Sequence, residues 1–253
     1  MGKLGESKHL KALVAPPFWP VRRKEHTWTV KPRAGPHSKS SSLPLLLVVR
    51  DVLRYARTAR EARRLIAEGD FKVDGVVRRD PKFPVGFMDV LEVKGSGEAF
   101  RVLPYPTAFF KLHPISPAEV SVKPLRIEDK TTVSGGHVQL NLYGGRNVLV
   151  QVKDPRKPEE DIYATWGTVL LSLKDSSILS YVPFGEGKLA IVMGGRAVGR
   201  VGRIRSVAKG WRKETTIVTL EDARKNVFQT SLNYIFIIGD EKPLISLPEG
   251  AWK

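Results

Sequence analysis

The sequence contains no cysteine, which excludes disulfides, thiol nucleophiles and zinc sites built on cysteine ligands. Long apolar runs are also missing. The longest, Leu43–Val49, has seven residues and includes Pro44, whereas a membrane span needs roughly 20. Near the N-terminus, Pro16 and Pro17 interrupt the first apolar stretch, so no secretory signal is expected. These absences predict a cytoplasmic protein without a membrane anchor.

Acidic residues are scarce relative to basic ones. Lys and Arg number 42 against 26 Asp and Glu, which gives a formal net charge of +16. The chain has 253 residues, of which 42% are hydrophobic, so several folded modules with real cores are expected. A strongly positive surface favours a polyanionic partner. Because no membrane-binding segment is visible, nucleic acid is the predicted partner.

Residues 1–41, called here the N-terminal arm, hold nine Lys or Arg and two Glu, and prolines recur throughout. The prolines prevent a long helix and predict an extended basic arm that becomes ordered on a partner. Trp19 and Trp28 lie among the basic residues and could stack or pack. The alternative is a solvated tail. The candidate RNA contacts in the arm are Lys3, Lys8, His9, Lys11, Arg22, Arg23, Lys24, His37 and Lys39.

Residues 42–98 predict two helices followed by a hairpin. In the first helix, which is predicted to have Pro44 in its first turn, the spacing of Arg50, Arg54 and Arg57 predicts one basic stripe. Thr58 and Glu61 form a capping-box pattern for the second helix, and Gly69 suits its left-handed end.

After the second helix, Asp74-Gly75 predicts a tight turn between two short strands. The candidate RNA contacts in residues 42–98 are Arg50, Arg54, Arg57, Arg60, Arg63, Arg64, Lys72, Arg78 and Arg79. A solvated helix face with internal ion pairs, such as Arg57 with Glu61, is the alternative for the arginines.

The rest of the chain is predicted to be β-rich, so the fold class is α+β. Alternating stretches place strands at Val138–Leu142, Thr168–Leu173 and Ile178–Val182. From residue 184, five short strands are predicted: Leu189–Met193, Val201–Val207, Thr215–Leu220, Asn226–Thr230 and Tyr234–Ile238. Five short strands with tight turns suit a small barrel.

Residues 188–213 carry eight Lys or Arg and no acid. We call them the C-terminal basic patch: Lys188, Arg196, Arg200, Arg203, Arg205, Lys209, Arg212 and Lys213. A surface of one sign implies a partner. Gly194, Gly195, Gly199 and Gly202 could let RNA approach the backbone, although they could equally serve barrel turns and bulges. All residues of the C-terminal basic patch except Arg212 and Lys213 are taken as candidate RNA contacts.

Enzymatic signatures are absent from the sequence. The glycine-rich stretch lacks the spacing of a phosphate loop or a dinucleotide fingerprint, and no H-E-x-x-H or G-x-S-x-G motif occurs. We therefore expect no catalytic residues, no metal and no cofactor.

Two segments resemble known RNA-binding modules. Ser42–Val93 resembles the alpha-L module first known from ribosomal protein four, with Ala62–Gly75 carrying most of the match, and Gly194–Ile204 resembles the KOW motif of small RNA-binding barrels. Their order, together with Lys8–Lys11, Gly35–His37, Gly86–Val90, Asn233–Gly239 and Lys242–Pro248, resembles the archaeal and eukaryotic small-subunit ribosomal protein four-e family.

The resemblance implies a fold with five parts: an N-terminal arm at 1–41, an alpha-L module at 42–98, a central β domain at 99–183, an SH3-like KOW barrel at 184–240 and a tail at 241–253. It implies a structural constituent of the small ribosomal subunit, monomeric within the ribosome, bound to small-subunit ribosomal RNA and neighbouring ribosomal proteins. Because eukaryotic members carry a longer basic tail, an archaeal source is expected.

Two other functions stay open at this point. Alpha-L modules are also appended to pseudouridine synthases, which would make the chain part of an RNA-modifying enzyme, although residues 99–183 are few for a catalytic domain. KOW motifs also occur in transcription elongation factors. Modification of RNA by the pure protein would favour the first, and failure to sediment with small subunits would favour the second.

Overall fold

Most of the regular structure is β-sheet, as the alternating patterns predict, and helices are few. The computed structural model describes residues 7–106, 109–154 and 160–248. The chain forms two compact units: one contains the residues up to Gly86 with Leu91–Glu98, and the other contains Phe87–Val90 with the residues from Ala99 onward. The coarse prediction of an α+β chain with several sheets is confirmed.

The described part of the N-terminal arm is more folded than its prolines predict. Strands β1 (Leu10–Lys11) and β2 (Trp28–Thr29) pair antiparallel. Leu10 and Trp19 are buried, and the Trp19 indole Nε1 donates a hydrogen bond of 3.0 Å to the carbonyl of Ser42. The prediction of an extended arm is therefore wrong for residues 7–41, because apolar side chains between the prolines supply a small core.

The first helix differs from the prediction. Strand β3 (Ser42–Pro44) ends at Pro44, and helix α1 runs as α-helix over Leu45–Leu47 and as π-helix over Val48–Val52. Pro44 therefore precedes the helix instead of lying in its first turn. Arg54 follows the helix with φ +60°. The predicted stripe of Arg50, Arg54 and Arg57 is wrong, because only Arg50 belongs to the helix.

The second helix, α2 (Ala59–Glu68), confirms its predicted ends. Thr58 accepts a hydrogen bond from the Glu61 backbone N–H, and the Glu61 carboxylate accepts one from the Thr58 N–H. Gly69 terminates the helix with φ +91°. Ala62 and Ile66 are buried, whereas Arg60, Arg63 and Arg64 are exposed. The three arginines of α2 therefore face solvent.

Short strands complete the first unit. They are β4 (Phe71–Val73), β5 (Val76–Val77), β6 (Pro84–Gly86) and β7 (Val90–Val93), whose first residue belongs to the second unit. Asp74 and Gly75 have φ +53° and +76°, the two positive values that a type I′ hairpin turn requires, so the predicted hairpin is confirmed. β4 also pairs with β7, and β6 pairs with β3.

The second unit begins with a hairpin and a five-stranded antiparallel sheet. The hairpin joins β8 (Ala99–Tyr105) and β9 (Phe109–Pro114). The sheet has the order β12-β11-β10-β13-β14, from β10 (Val122–Thr132), β11 (Val138–Leu142), β12 (Arg146–Val150), β13 (Thr168–Ser172) and β14 (Ile178–Val182). Its core includes Leu125, Leu140 and Val169. The three strands predicted here are confirmed within one residue.

A second five-stranded antiparallel sheet follows, in the order β18-β17-β16-β15-β19. Its strands are β15 (Leu189–Val192), β16 (Val201–Ala208), β17 (Ile217–Glu221), β18 (Val227–Ser231) and β19 (Ile235–Gly239). All five predicted strands are present, with ends displaced by one or two residues. Val192, Ile204, Leu220 and Ile237 lie in the core.

Three cationic side chains are buried in the second unit, those of Arg101, Lys123 and Arg126, and the Arg101 guanidinium donates hydrogen bonds to the carbonyls of Glu119 and Val122. The Lys123 ammonium lies 2.5 Å from the Asp89 carboxylate, and both side chains are at most 2% exposed. The Arg126 guanidinium, on β10, donates hydrogen bonds to the backbone carbonyls of Asn233 and Ile235, at the start of β19. These contacts fix charged groups that the folded interior tolerates only when paired.

None of the helices in the described residues has the length and apolarity required to cross a bilayer.

Candidate nucleic-acid interface

An open cleft of about 820 Å³ lies in the first unit, between the N-terminal arm and the two helices. We call it the basic cleft, because seven Lys or Arg line it against two acids. The lining residues with ionisable side chains are Lys8, His9, Arg22, Glu25, His26, Lys31, Arg50, Asp51, Arg57, Arg63 and Lys82. The excess of cations gives this concave surface a positive potential, which attracts phosphate.

The β1–β2 pairing builds the arm side of the basic cleft. It holds the His9 ring 5.5 Å from the Trp28 ring at 54°, and Trp28 is 57% exposed. The Lys31 ammonium donates a hydrogen bond of 2.6 Å to the Ser7 carbonyl, which fixes its position beside Lys8. Cationic and aromatic groups thus alternate along this wall, a combination suited to phosphates and bases.

The start of α2 builds the helix side. Arg57 and Ala59 flank the N-cap Thr58, and Arg63 lies one turn further on the face of Ala59. Neither Arg57 nor Arg63 forms an ion pair with any residue that the structure describes. The helix N-terminus adds its partial positive charge to theirs. This wall therefore has two free guanidinium groups and a dipole of the same sign.

Some cations of the cleft are already neutralised. The Arg50 guanidinium makes two hydrogen bonds of 2.7 and 2.9 Å to the Asp51 carboxylate, and these bonds raise the pKa of Arg50 against the opposing effect of burial. Arg22 lies 3.2 Å from Glu25, with both side chains exposed. Arg50 therefore has a fixed orientation but less free charge than Arg57 or Arg63.

Lys82 and His26 line the cleft although the sequence did not mark them. Two contacts of Arg33 in the N-terminal arm fix the position of Lys82 at the cleft. The Arg33 N–H donates a 2.9 Å hydrogen bond to the Lys82 carbonyl, and the Arg33 guanidinium pairs with Asp80 at 3.1 Å. The basic run from Arg78 to Lys82 carried a signal for Lys82. His26 has no such signal in the sequence, because its approach to the helix depends on how the arm folds.

The other candidates of the first unit that the structure describes lie outside the cleft lining. Lys3 lies outside the described residues. Lys11, Arg23, Lys24, Lys39, Arg54, Arg60 and Arg79 are exposed. Three more have internal partners: Arg64 pairs with Glu68 at 2.9 Å, Lys72 with Glu92 at 3.8 Å, and the Arg78 guanidinium lies 4.4 Å from the centre of the Phe83 ring.

His37 does not suit the role predicted for it. Its side chain is buried, with the residue 6% exposed, and its ring packs onto Gly86. A ring enclosed in this way cannot reach a phosphate without local unfolding. We therefore correct its predicted role from RNA contact to packing residue.

Gly86→Ala is expected to lower the free energy of unfolding by about 1–3 kcal/mol, because the added methyl would overpack this site. The new carbon would lie 2.3 Å from the His37 Cγ. Urea denaturation measures the effect. Gly95→Ala is the matched control, since a Cβ there meets no atom within 4 Å. Equal stability of the two variants would contradict the packing of His37 on Gly86.

The C-terminal basic patch lies in the second unit. Arg196, Arg200, Arg203, Arg205 and Lys209 are exposed, and among the residues that the structure describes they form no ion pair. Arg203 and Arg205 point outward on either side of the buried Ile204. The Arg200 guanidinium lies 5.2 Å from the centre of the Phe228 ring, and Lys188 pairs with Asp240 at 2.7 Å. Most of the patch is free to meet an anion.

The glycines beside this patch serve intramolecular packing. A Cβ on Gly194 would lie 2.6 Å from the Tyr234 ring, one on Gly199 2.5 Å from Pro106, and one on Gly202 2.9 Å from the Glu221 carbonyl. These three glycines are buried, and only Gly195 is exposed. For Gly194, Gly199 and Gly202 the structure favours the alternative of internal packing, because protein atoms occupy the space that a side chain would take.

Three family models match successive parts of the chain. The RS4NT (NUC023) domain matches residues 4–40, the S4 domain matches residues 44–91, and the ribosomal family S4e matches residues 96–178. The basic cleft lies within the first two matches. The fold and the matches together define a class, that of ribosomal proteins with an S4 RNA-binding domain behind an N-terminal arm.

Curated relatives extend this similarity over the whole chain. The small ribosomal subunit protein eS4 of Aeropyrum pernix is 63% identical over 253 residues, covering 100% of both chains. That of Methanocaldococcus jannaschii is 44% identical, covering 98% of this chain and 100% of that protein. The crystal structure of the 30S ribosomal protein S4e from Thermoplasma acidophilum matches with a TM-score of 0.66 and 28% identity, covering 79% of this chain and 96% of that one. The chain belongs to the ribosomal S4e family, and the resemblance found in its residues is confirmed.

Proposed function

We propose that this protein is a structural constituent of the small ribosomal subunit, that it binds and stabilises small-subunit ribosomal RNA, and that it carries out no chemistry. The basic cleft supports this proposal most directly. It combines free guanidinium groups, a helix N-terminus and an exposed indole on one concave surface, within residues that match the RS4NT and S4 domains. Phosphates would supply the negative charge that this cationic surface lacks.

The proposal includes two separate contacts with RNA. The first is the basic cleft, extended by exposed cations nearby such as Lys11, Arg54 and Arg60. The second is the C-terminal basic patch, where Arg203 and Arg205 on one strand could follow a phosphate backbone. Two contacts on different units would let one chain hold two segments of folded RNA.

The division into parts is also part of the proposal. We propose an arm at 1–41, an alpha-L module at 42–98, a central β domain at 99–183, an SH3-like KOW barrel at 184–240 and a tail at 241–253. The five-stranded antiparallel sheet of β15–β19 has the strand number that such a barrel needs. We further propose that the protein is a monomer in the cytoplasmic ribosome and touches neighbouring small-subunit proteins.

Binding of the purified protein to small-subunit ribosomal RNA tests the function. We expect tighter binding to that RNA than to large-subunit RNA or transfer RNA at the same salt concentration, and comigration with small subunits on sedimentation at low salt. Equal affinity for all three RNAs would overturn the proposal. Sedimentation with RNA polymerase instead of small subunits, or modified nucleosides after incubation with unmodified RNA, would point to the other two functions.

A further inference from the structure

Trp211 is almost entirely exposed, with 98% of its surface open to solvent. It lies in the loop between β16 and β17, immediately after the strand that carries Arg203 and Arg205. Single exposed apolar residues are common on proteins, so the exposure alone implies nothing. Trp211 differs from such residues in two respects: hydrogen bonds in its loop hold the indole outward, and cationic side chains lie beside it.

The loop has a defined conformation that keeps the indole away from the core. Thr216 is buried, and its hydroxyl accepts a 3.1 Å hydrogen bond from the Gly210 N–H. The Arg212 N–H donates a bond of 2.9 Å to the Thr215 hydroxyl, and the Thr216 N–H donates one of 3.0 Å to the Arg212 carbonyl. These bonds close the loop on both sides of Trp211, so its exposure is built into the backbone.

The charges around Trp211 select the kind of partner. Lys209 and Arg212 flank it and are exposed, and Arg205 precedes it on β16, whereas Glu214 is the one acid of the loop. An apolar pocket on a protein would need a ring of acids to match these cations. RNA offers an apolar base face beside phosphates without any special arrangement, and unpaired bases stack on indoles in this way.

We propose that Trp211 is a stacking site for an unpaired nucleobase of ribosomal RNA, with Lys209 and Arg212 on the adjoining phosphates. This inference rests on the proposed function and adds to it a base contact within a patch otherwise suited to phosphates. Because every base has a flat aromatic face, the site would select an unpaired nucleotide by its accessibility and not by its sequence.

Substitution of Trp211 tests the site. Trp211→Ala is expected to weaken binding to small-subunit ribosomal RNA roughly five- to hundredfold while the slope of affinity against salt stays unchanged, because a base contact and no phosphate contact is lost. Trp211→Phe should restore most of the affinity. Leu179→Ala is the matched control, since Leu179 is 55% exposed on β14 of the same unit and should have no effect.

The outcomes separate this inference from the proposed function. If the unsubstituted protein prefers small-subunit RNA and Trp211→Ala binds it equally well, the stacking site is wrong and the function stands. If the unsubstituted protein shows no preference, the function itself fails. Normal affinity of Trp211→Ala for naked RNA, with loss of incorporation into subunits that contain the other proteins, would identify a protein partner and overturn the stacking site.

Discussion

Lys123→Met is expected to destabilise the second unit by about 3–5 kcal/mol, because it leaves the Asp89 carboxylate charged and buried without its cation. The Lys123 ammonium and the Asp89 carboxylate are 2.5 Å apart and almost fully enclosed. The loss should appear as a lower midpoint in urea denaturation. Lys174→Met is the matched control, since Lys174 is exposed in the turn between β13 and β14.

A double variant distinguishes a lost charge pair from a misfitting side chain. In Lys123→Met/Asp89→Leu both members of the ion pair are removed and neither leaves a buried charge without its partner, so the variant should be more stable than Lys123→Met alone. If Lys123→Met is as stable as the Lys174→Met control, the ion pair does not contribute as its geometry implies. If the double variant is less stable than the single one, the apolar replacements do not fit the site.

Replacing Arg57, Arg63 and Lys82 together by Gln is expected to cause the largest loss of RNA affinity. Each lost phosphate contact should lower the salt slope by roughly 0.7 to 0.9 and the affinity by up to roughly tenfold at about 0.1 M salt. Arg57 and Arg63 line the basic cleft on its helix side, and Lys82 lines it beside Arg33 of the N-terminal arm. Filter binding to small-subunit RNA over a series of salt concentrations measures both quantities.

The control for this variant removes the same charge elsewhere. Lys174, Arg224 and Lys242 are exposed and lie outside the basic cleft and the C-terminal basic patch. Changing all three to Gln should leave the salt slope unchanged. If both triple variants lose slope equally, binding depends on net charge alone, and the geometry of the cleft has no special role. Circular dichroism should show that both variants are folded.

Local signals predicted much of the fold. The capping box at Thr58, the Gly69 helix end and the Asp74-Gly75 turn all depend on neighbours within a few residues, so their sequence signatures were sufficient. The alternating strands after residue 184 were equally local. The prediction for the first helix failed because the helix ends at Val52 in a π-helical turn, so that Arg54, with φ +60°, and Arg57 lie beyond it, and the spacing of the arginines does not reveal this end.

The candidate site was less predictable because it depends on contacts far apart in sequence. His37 resembled a surface residue among lysines, but its ring is buried and packs onto Gly86, 49 positions later. Lys82 is held at the cleft by Arg33, which is also 49 positions away from it in the sequence. The glycines near Arg196 resembled an RNA-contact surface, but their neighbours Tyr234, Pro106 and Glu221 come from other strands or loops. Composition identified the kind of partner, and long-range packing decided which residues can meet it.

Arg126 links the two five-stranded sheets, and this contact should couple their unfolding. Its guanidinium comes from the first of them, stacks on Trp166 at 4.8 Å from the ring centre, and holds carbonyls at the start of β19 in the second. If either sheet separated, a buried cation and two carbonyl groups would lose their partners at once. The two sheets should therefore melt in a single cooperative transition, and a fragment beginning near residue 184 should be far less stable than its five strands suggest.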